Sequence, residues 1–425
     1  TPDNIEARTQ KFAVGGLQAA LLPKGTRGGA VRASLTLRFG DEKSLFGQSE
    51  VAELTGALLD KGTKTMTRQQ IQDRLDELQT EMRIRGTAGR VSVSLSSRRD
   101  ELPAAIALVG DLLRNASFPP EALDELKRQS LAGLEQQRKE PDALVENAIE
   151  RLGSPYPRGD VRYTDTFDES VQNINAVTIE QVRAFHQRFY SANKGEFGAA
   201  GDLDVAAVRE ALEAAFGHWT GGVPFTRVPQ PLVPVPPERL MIGTPDKQNA
   251  MMLVRLAVPL TDNDADYPAL MMANYLLGSG GSSRLWKRIR ESEGLSYDVR
   301  SNISWSSHEP NSSWQASAIF APQNRPKVEA AFREELARAQ KDGFTQQELD
   351  EGRRGLLSFR GLSRAQDAMV ASSLANNLYL GRTFMVSAKV DDALAKLTLD
   401  EVNVALRKYL KPDQFVVGFG GDFKE

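Results

Sequence analysis

The sequence contains no cysteine and only three histidines in 425 residues. Without cysteine there is no disulfide, no thiolate nucleophile, no iron–sulfur cluster and no thiolate zinc site. His186, His218 and His308 lie far apart, and none has a second histidine at the four-residue spacing that lets two imidazoles on one helix share a metal. Each therefore reads as a structural or surface residue, and no histidine-based active site is expected within this chain. Two further absences narrow the partners. No apolar run approaches the length needed to cross a bilayer, so no membrane span is expected. Lys and Arg (53) are matched by Asp and Glu (56), giving a formal net charge of −3, which argues against a surface that coats nucleic acid. A phosphate-binding loop and a dinucleotide fingerprint are missing as well.

What remains is a globular composition, 40% hydrophobic and 26% charged, in a chain long enough for roughly two to four compact units. The first residue is Thr1, which suits a processed product; a signal-cleaved periplasmic protein is the expectation, and a cytoplasmic one is the alternative. Apolar runs Leu17–Leu22 and Val31–Phe39 flank a glycine-containing turn at Lys24–Gly29 and predict a β-hairpin. Helical periodicity follows at Ser49–Leu59 and Thr67–Leu78, then strand alternation at Arg90–Ser97. Helices are predicted at Leu102–Ala116, Pro119–Lys139, Pro141–Leu152, Thr178–Tyr190 and Val205–Phe216, with Gly195–Gly201 as a strand before the last. Gly217–Pro237 is rich in Pro and Gly, cannot be helical and reads as a stiff linker. It divides the chain into 1–216 and 238–425.

Those halves repeat one another. Phe118-Pro-Pro-Glu-Ala-Leu-Asp-Glu recurs as Phe344-Thr-Gln-Gln-Glu-Leu-Asp-Glu, Val177-Thr-Ile-Glu-Gln-Val as Leu397-Thr-Leu-Asp-Glu-Val, and Phe197-Gly-Ala-Ala-Gly-Asp as Val417-Gly-Phe-Gly-Gly-Asp. The pairs keep their order at a separation of about 220 residues, which marks a tandem duplication of one α+β domain. In that register Gly47–Thr63 faces Asp266–Gly280, each holding the first helix of its unit.

One stretch of the second half stands out. In Ser282–Tyr297, Ser282 or Ser283 is placed to cap a short helix, Leu285, Trp286 and Ile289 share a face, and Gly294 supplies a left-handed stop. Arg290 and Tyr297 then sit on either side of the stop, where a guanidinium and a phenol can both donate to one carbonyl oxygen as it gains negative charge. The alternative is a solvated arginine and a half-buried tyrosine.

The order of elements, the pattern Ser282-Ser-Arg-Leu, Arg290 and Gly294-Leu-Ser-Tyr297, and the segment Val51–Thr63 closing in Lys61-Gly-Thr together resemble the M16 (pitrilysin/insulinase) family of metallopeptidases. Relatives of that family include the mitochondrial processing peptidase and respiratory-chain core proteins. The resemblance covers nearly the whole chain and implies two tandem domains, each a mostly antiparallel sheet with helices packed on one face, forming half of a clamshell. Active members carry His-x-x-Glu-His, two zinc ligands and a general base. The matching positions here are Glu53, Gly56 and Ala57, which supply no imidazole and no base at the central place. Glu135 falls near the place of the distal zinc glutamate and reads as part of a solvated helix face. The resemblance thus implies no cofactor in this chain, with zinc held by a homologous partner subunit that bears His-x-x-Glu-His. Arg290 and Tyr297 match the donors that active members direct at the substrate, so the chain resembles the zinc-free subunit of a heterodimeric endopeptidase acting on peptides. A structural or substrate-recognition subunit is the alternative, although Gly278–Ser283 is short for a recognition loop and reads as a helix-entry turn.

Overall fold

Alternation and helical spacing carry directly into the computed structural model, which describes residues 1–424. The first half runs α1 (Pro2–Arg8), β1 (Gln10–Val14), β2 (Leu17–Pro23), β3 (Ala30–Arg38), α2 (Ser49–Leu58), α3 (Arg68–Glu77), β4 (Glu81–Thr87), β5 (Arg90–Arg98), α4 (Leu102–Asn115), α5 (Pro120–Gln137), α6 (Pro141–Leu152), α7 (Phe167–Ala176), α8 (Ile179–Phe189), β6 (Gly195–Gly201) and α9 (Val205–Phe216). Residues 217–237 hold no helix or strand. The second half continues with β7 (Glu238–Gly243), β8 (Ala250–Val258), α10 (Tyr267–Asn274), β9 (Asp298–Ser304), β10 (Ser312–Phe320), α11 (Arg325–Asp342), α12 (Gln346–Ser363), α13 (Asp367–Leu380), α14 (Met385–Lys396), α15 (Leu399–Tyr409) and β11 (Val416–Gly421). Two π-helical turns, Tyr275–Ser279 and Trp286–Ser292, lie between α10 and β9.

The duplication is visible in the topology. The first sheet has the order β1-β2-β6-β3-β5-β4 and the second β7-β11-β8-β10-β9, so apart from β1 each strand has its counterpart in the same place. Within each sheet one contact is parallel, β2 with β6 and β7 with β11, and the rest are antiparallel. The repeated Thr-led segments cap α8 and α15, where Thr178 and Thr398 accept from the backbone N–H three residues on and Gln181 and Glu401 complete the capping box. The repeated Phe-led segments open α5 and α12, both 18 residues long.

Three local expectations are corrected. β2 and β3 do not form a hairpin: β6 lies between them, and β2 pairs with β1 instead. The seven residues of β6 are all buried, so a central place suits that strand better than an edge would. Strand β4 and helix α7 were not predicted. The Ser282–Tyr297 segment is π-helical over Trp286–Ser292 instead of α-helical, and neither serine caps it through its side chain; the Ser283 hydroxyl is buried without a partner among the described residues. The stop at Gly294 is as expected, with φ 61°.

Each sheet has a main core on one face. The other face of each is covered by a helix from the opposite half. Helix α13 lays Val370 and Leu374 on Ala20, Leu22 and Ala200 of the first sheet, and α6 lays Val145 and Ile149 on Leu253 and Val416 of the second. Burying a large apolar side chain in this way contributes roughly 1.5–3 kcal/mol. Matching ion pairs hold the helix starts, Lys24 to Asp367 at 2.5 Å and Lys247 to Glu140 at 2.9 Å.

Candidate functional site

Glu53, Gly56 and Ala57, expected to match the zinc motif, sit on α2. Glu53 has an exposed edge and faces a cavity of about 1010 Å³, Ala57 is half-buried, and Gly56 is buried against β4. A Cβ built on Gly56 would lie 2.3 Å from the Gly86 nitrogen, so the helix crosses the strand with no room for a side chain. One carboxylate, a hydrogen and a methyl do not fit a zinc ion that needs two imidazoles there. Among the described residues no group of three or more His, Cys, Asp or Glu is placed to hold a metal. Glu135 is exposed on α5, 3.7 Å from Arg138 and 3.9 Å from Lys139, as a solvated face would be.

The cavity lies between the halves. Its walls come from α2, the turn before β5, the 158–165 loop, the Phe225–Gln230 stretch, the β9–β10 loop with Ser306 and His308, and Tyr379 of α13. Several acidic groups line it. Burial, with Glu53 and Asp165 nearby, pushes the Glu50 carboxyl up to about 7. Glu53 is raised by burial and by Asp165, with Arg85 opposing, and Asp165 is raised by burial and by Glu169. Cations line the cavity as well. Arg38 donates to the fully buried Glu196 at 2.7 Å, with its guanidinium 3.4 Å from the centre of the Tyr379 ring. Arg227 holds Glu309 through two hydrogen bonds of 2.6 and 3.0 Å. Burial and the Arg227 charge hold the His308 imidazole below its ordinary range.

Sequence reasoning missed this cavity, because its walls are joined by packing and not by spacing. One signal was available: Glu196 stands inside an otherwise small and apolar strand, and an acid there requires a buried cationic partner.

Arg290 and Tyr297 are elsewhere, on the surface of the second half, and neither lines the cavity. The Arg290 guanidinium lies 5.6 Å over the ring of Trp286, and Arg300 lies 5.8 Å over the same ring. Glu293 and Glu334 are engaged by Arg288, at 2.8 and 2.7 Å, and Arg290 has no ion pair among the described residues. Gly294 turns the chain so that the Leu295 amide donates to Ile289 and the Tyr297 amide to Ile319, which leaves the Tyr297 side chain 60% exposed. Its hydroxyl has no hydrogen-bond partner among the described residues. Two strong donors thus stand free on one short, turned segment. Of the histidines, His186 binds the Leu113 carbonyl through Nε2 at 2.7 Å and His218 is exposed.

Comparison with known proteins adds the lineage. The Peptidase M16 inactive domain family matches residues 176–356. The Helicobacter pylori protein described as non-peptidase homolog YmxG is 24% identical over 372 residues, 87% of this chain and 84% of that protein. A Pseudomonas fluorescens structure described as a peptidase M16 inactive domain superposes with a TM-score of 0.83 at 22% identity, covering 97% of this chain and 98% of that one. The periplasmic protease PqqL of Escherichia coli superposes with a TM-score of 0.76 at 14% identity, and there 97% of this chain covers only 46% of the other. The fold is therefore that of half a clamshell, with two α+β domains in tandem.

Proposed function

We propose that this chain, which belongs to the M16 family and is a homologue of its inactive type, works as the zinc-free subunit of a two-chain peptidase. The observation that carries the reading is the state of Arg290 and Tyr297: two donors held beside a fixed turn, exposed, and without ion-pair or hydroxyl partners among the described residues. An unpaired guanidinium and a largely exposed tyrosine on an ordered segment suit a surface that another molecule completes. The half-length match to PqqL supports a second, homologous chain as that molecule. In this reading the partner carries His-x-x-Glu-His and its metal activates water. This chain's share is electrostatic. Arg290 and Tyr297 donate hydrogen bonds to the peptide carbonyl oxygen as it becomes an oxyanion, and they orient the peptide before that. A periplasmic setting goes with the reading, since PqqL is described as periplasmic, and cell fractionation would test it.

The experiment is reconstitution. The chain alone should cleave no peptide, and its mixture with a zinc-motif homologue should show chelator-sensitive cleavage. Loss of one oxyanion donor costs about a hundredfold or more in kcat, so Arg290→Ala should lower turnover by that order while the complex still forms, and Tyr297→Phe should lower it too. Normal turnover by the Arg290→Ala complex would sink the catalytic reading. It would instead favour an assembly or recognition subunit, the reading to which the description of YmxG as a non-peptidase homolog points.

A further inference from the structure

Arg290 makes no hydrogen bond and no ion pair among the described residues, and the group that meets its guanidinium is the Trp286 ring, 5.6 Å away. An exposed arginine left to itself samples many rotamers, and a donor that has to be ordered at the moment of reaction costs rate. Trp286 is fixed where Arg290 is not. Its side chain is half-buried and packs against the second core, and its neighbours Leu285 and Ile289 on the same segment are fully buried.

The backbone adds to this. Over Trp286–Ser292 the turn is π-helical, closing on the fifth residue instead of the fourth. In an α-helix the fourth residue on has rotated past the first, and the wider turn brings Arg290 more nearly in line above Trp286. Arg300 of β9 lies over the same ring at 5.8 Å, but Asp298 holds it at 3.0 Å. Of the two cations on the indole, Arg290 is therefore the one with a charge left to offer. We infer that Trp286 is a positioning residue, whose indole holds the Arg290 guanidinium in one orientation on the chain before any oxygen arrives. Its consequence for turnover rests on the catalytic reading of Arg290; the contact itself does not, so the two can fail separately.

The contact is read on the full chain alone. In a heteronuclear spectrum of nitrogen-labelled protein, the Arg290 Nε–H proton, assigned with Arg290→Lys, should be shifted upfield by the ring. It should move to an ordinary arginine position in Trp286→Leu and stay shifted in Trp286→Phe. An ordinary position in the wild-type chain, or no change in Trp286→Leu, would overturn the inference. The consequence is read in the reconstituted complex. Trp286→Leu should lower kcat by about threefold, the size of an exposed cation–π contact, with KM little changed, and Trp286→Phe should recover most of the loss. In an Arg290→Ala background Trp286→Leu should cost nothing further, because the group it positions is gone. Arg300→Ala should leave turnover as it is. Additive losses in the double variant, or an Arg300→Ala loss equal to that of Trp286→Leu, would mean that Trp286 only packs or serves the other cation, and would overturn the assignment. Normal turnover by Arg290→Ala would instead remove the catalytic reading, and the spectrum would still decide whether Trp286 holds Arg290.

Discussion

At one matched pair of glycines the two crossings differ: α13 meets β6 through its backbone at Gly198, whereas α6 meets β11 through side chains at Gly418. A Cβ on Gly198 of β6 would lie 2.2 Å from the Ala371 carbonyl oxygen and 2.9 Å from the Ala375 nitrogen. On Gly418 of β11 it would meet Val145 Cγ1 at 2.7 Å and Ile149 Cδ1 at 3.1 Å. These two glycines occupy the same place in the repeated segments Phe197-Gly-Ala-Ala-Gly-Asp and Val417-Gly-Phe-Gly-Gly-Asp. The repeat therefore records more than a shared strand: in each half a glycine makes room for the helix that arrives from the other. What differs is how far each crossing can yield. A valine or isoleucine can change rotamer, and a helix backbone moves only as a whole. Gly198→Ala should accordingly destabilise the chain by about 3 kcal/mol, the upper part of the overpacking range, and Gly418→Ala by about 1 kcal/mol. Urea unfolding of the two variants gives the difference directly, and equal losses would break the contrast between the crossings.

A second pair of glycines sets the first helices of the halves side by side. Gly56 of α2 touches the edge strand β4 at Gly86, and Gly278, in the π-helical turn after α10, touches the equivalent edge strand β9, where a Cβ would meet the Ser301 nitrogen at 2.9 Å and its Oγ at 2.1 Å. In both halves a glycine admits the edge strand, so if Gly56 matches the general base of the zinc motif, that place is taken here by a packing contact. Restoring the motif is therefore not a matter of exchanging ligands. Glu53→His, Gly56→Glu and Ala57→His together should yield no stoichiometric zinc by atomic absorption, because the residue at 56 displaces α2 from β4. Gly56→Ala alone should lower stability by about 2 kcal/mol although alanine is the better helix former. Gly133 of α5 is the control: nothing lies within 4 Å of its Cβ, and Gly133→Ala should stabilise by roughly 0.5–1 kcal/mol. A stabilising Gly56→Ala would show that α2 and β4 have slack, and the restored motif would then deserve a metal assay in earnest.

Particular residues show how far the sequence can be read. Thr67, Thr178, Thr345 and Thr398 with the residue three positions on declare helix starts locally, and all four form capping boxes. The duplication survives because its segments lie at such caps and on a central strand. Long-range order is less legible. Nothing local in Leu17–Leu22 or Val31–Phe39 reports that a strand 160 residues later inserts between them, since Leu35 faces Phe197. Leu285 and Ile289, four apart, suit an α-helical face and a π-helical one alike, and only the wider turn over Trp286–Ser292 separates the two. As for the site, Glu53, Gly56, Ala57, Arg290 and Tyr297 stand out as candidates in the sequence because each lies in a contiguous segment. The cavity does not, because Glu50, Arg90, His308 and Tyr379 are neighbours only after the halves exchange helices.

The last expected effect compares Glu50, crowded by Glu53 and Asp165 in the folded chain, with the same carboxyl when unfolded. Glu50 titrates near 7 in the folded chain and near 4.5 when free, through burial first and then through Glu53 and Asp165. Between those values the folded state binds more protons than the unfolded state, so stability falls as pH rises through this window, and the penalty is complete above 7. Glu50→Gln removes the ionisation and should stabilise the chain at pH 8 by on the order of 1 kcal/mol, a value discounted for the part of Glu50 that water still reaches. The gain should shrink toward nothing near pH 4.5, where wild-type Glu50 is already neutral in the folded state. Thermal unfolding across that range measures it. A flat Glu50→Gln profile would mean that Glu50 is better solvated than its crowding implies.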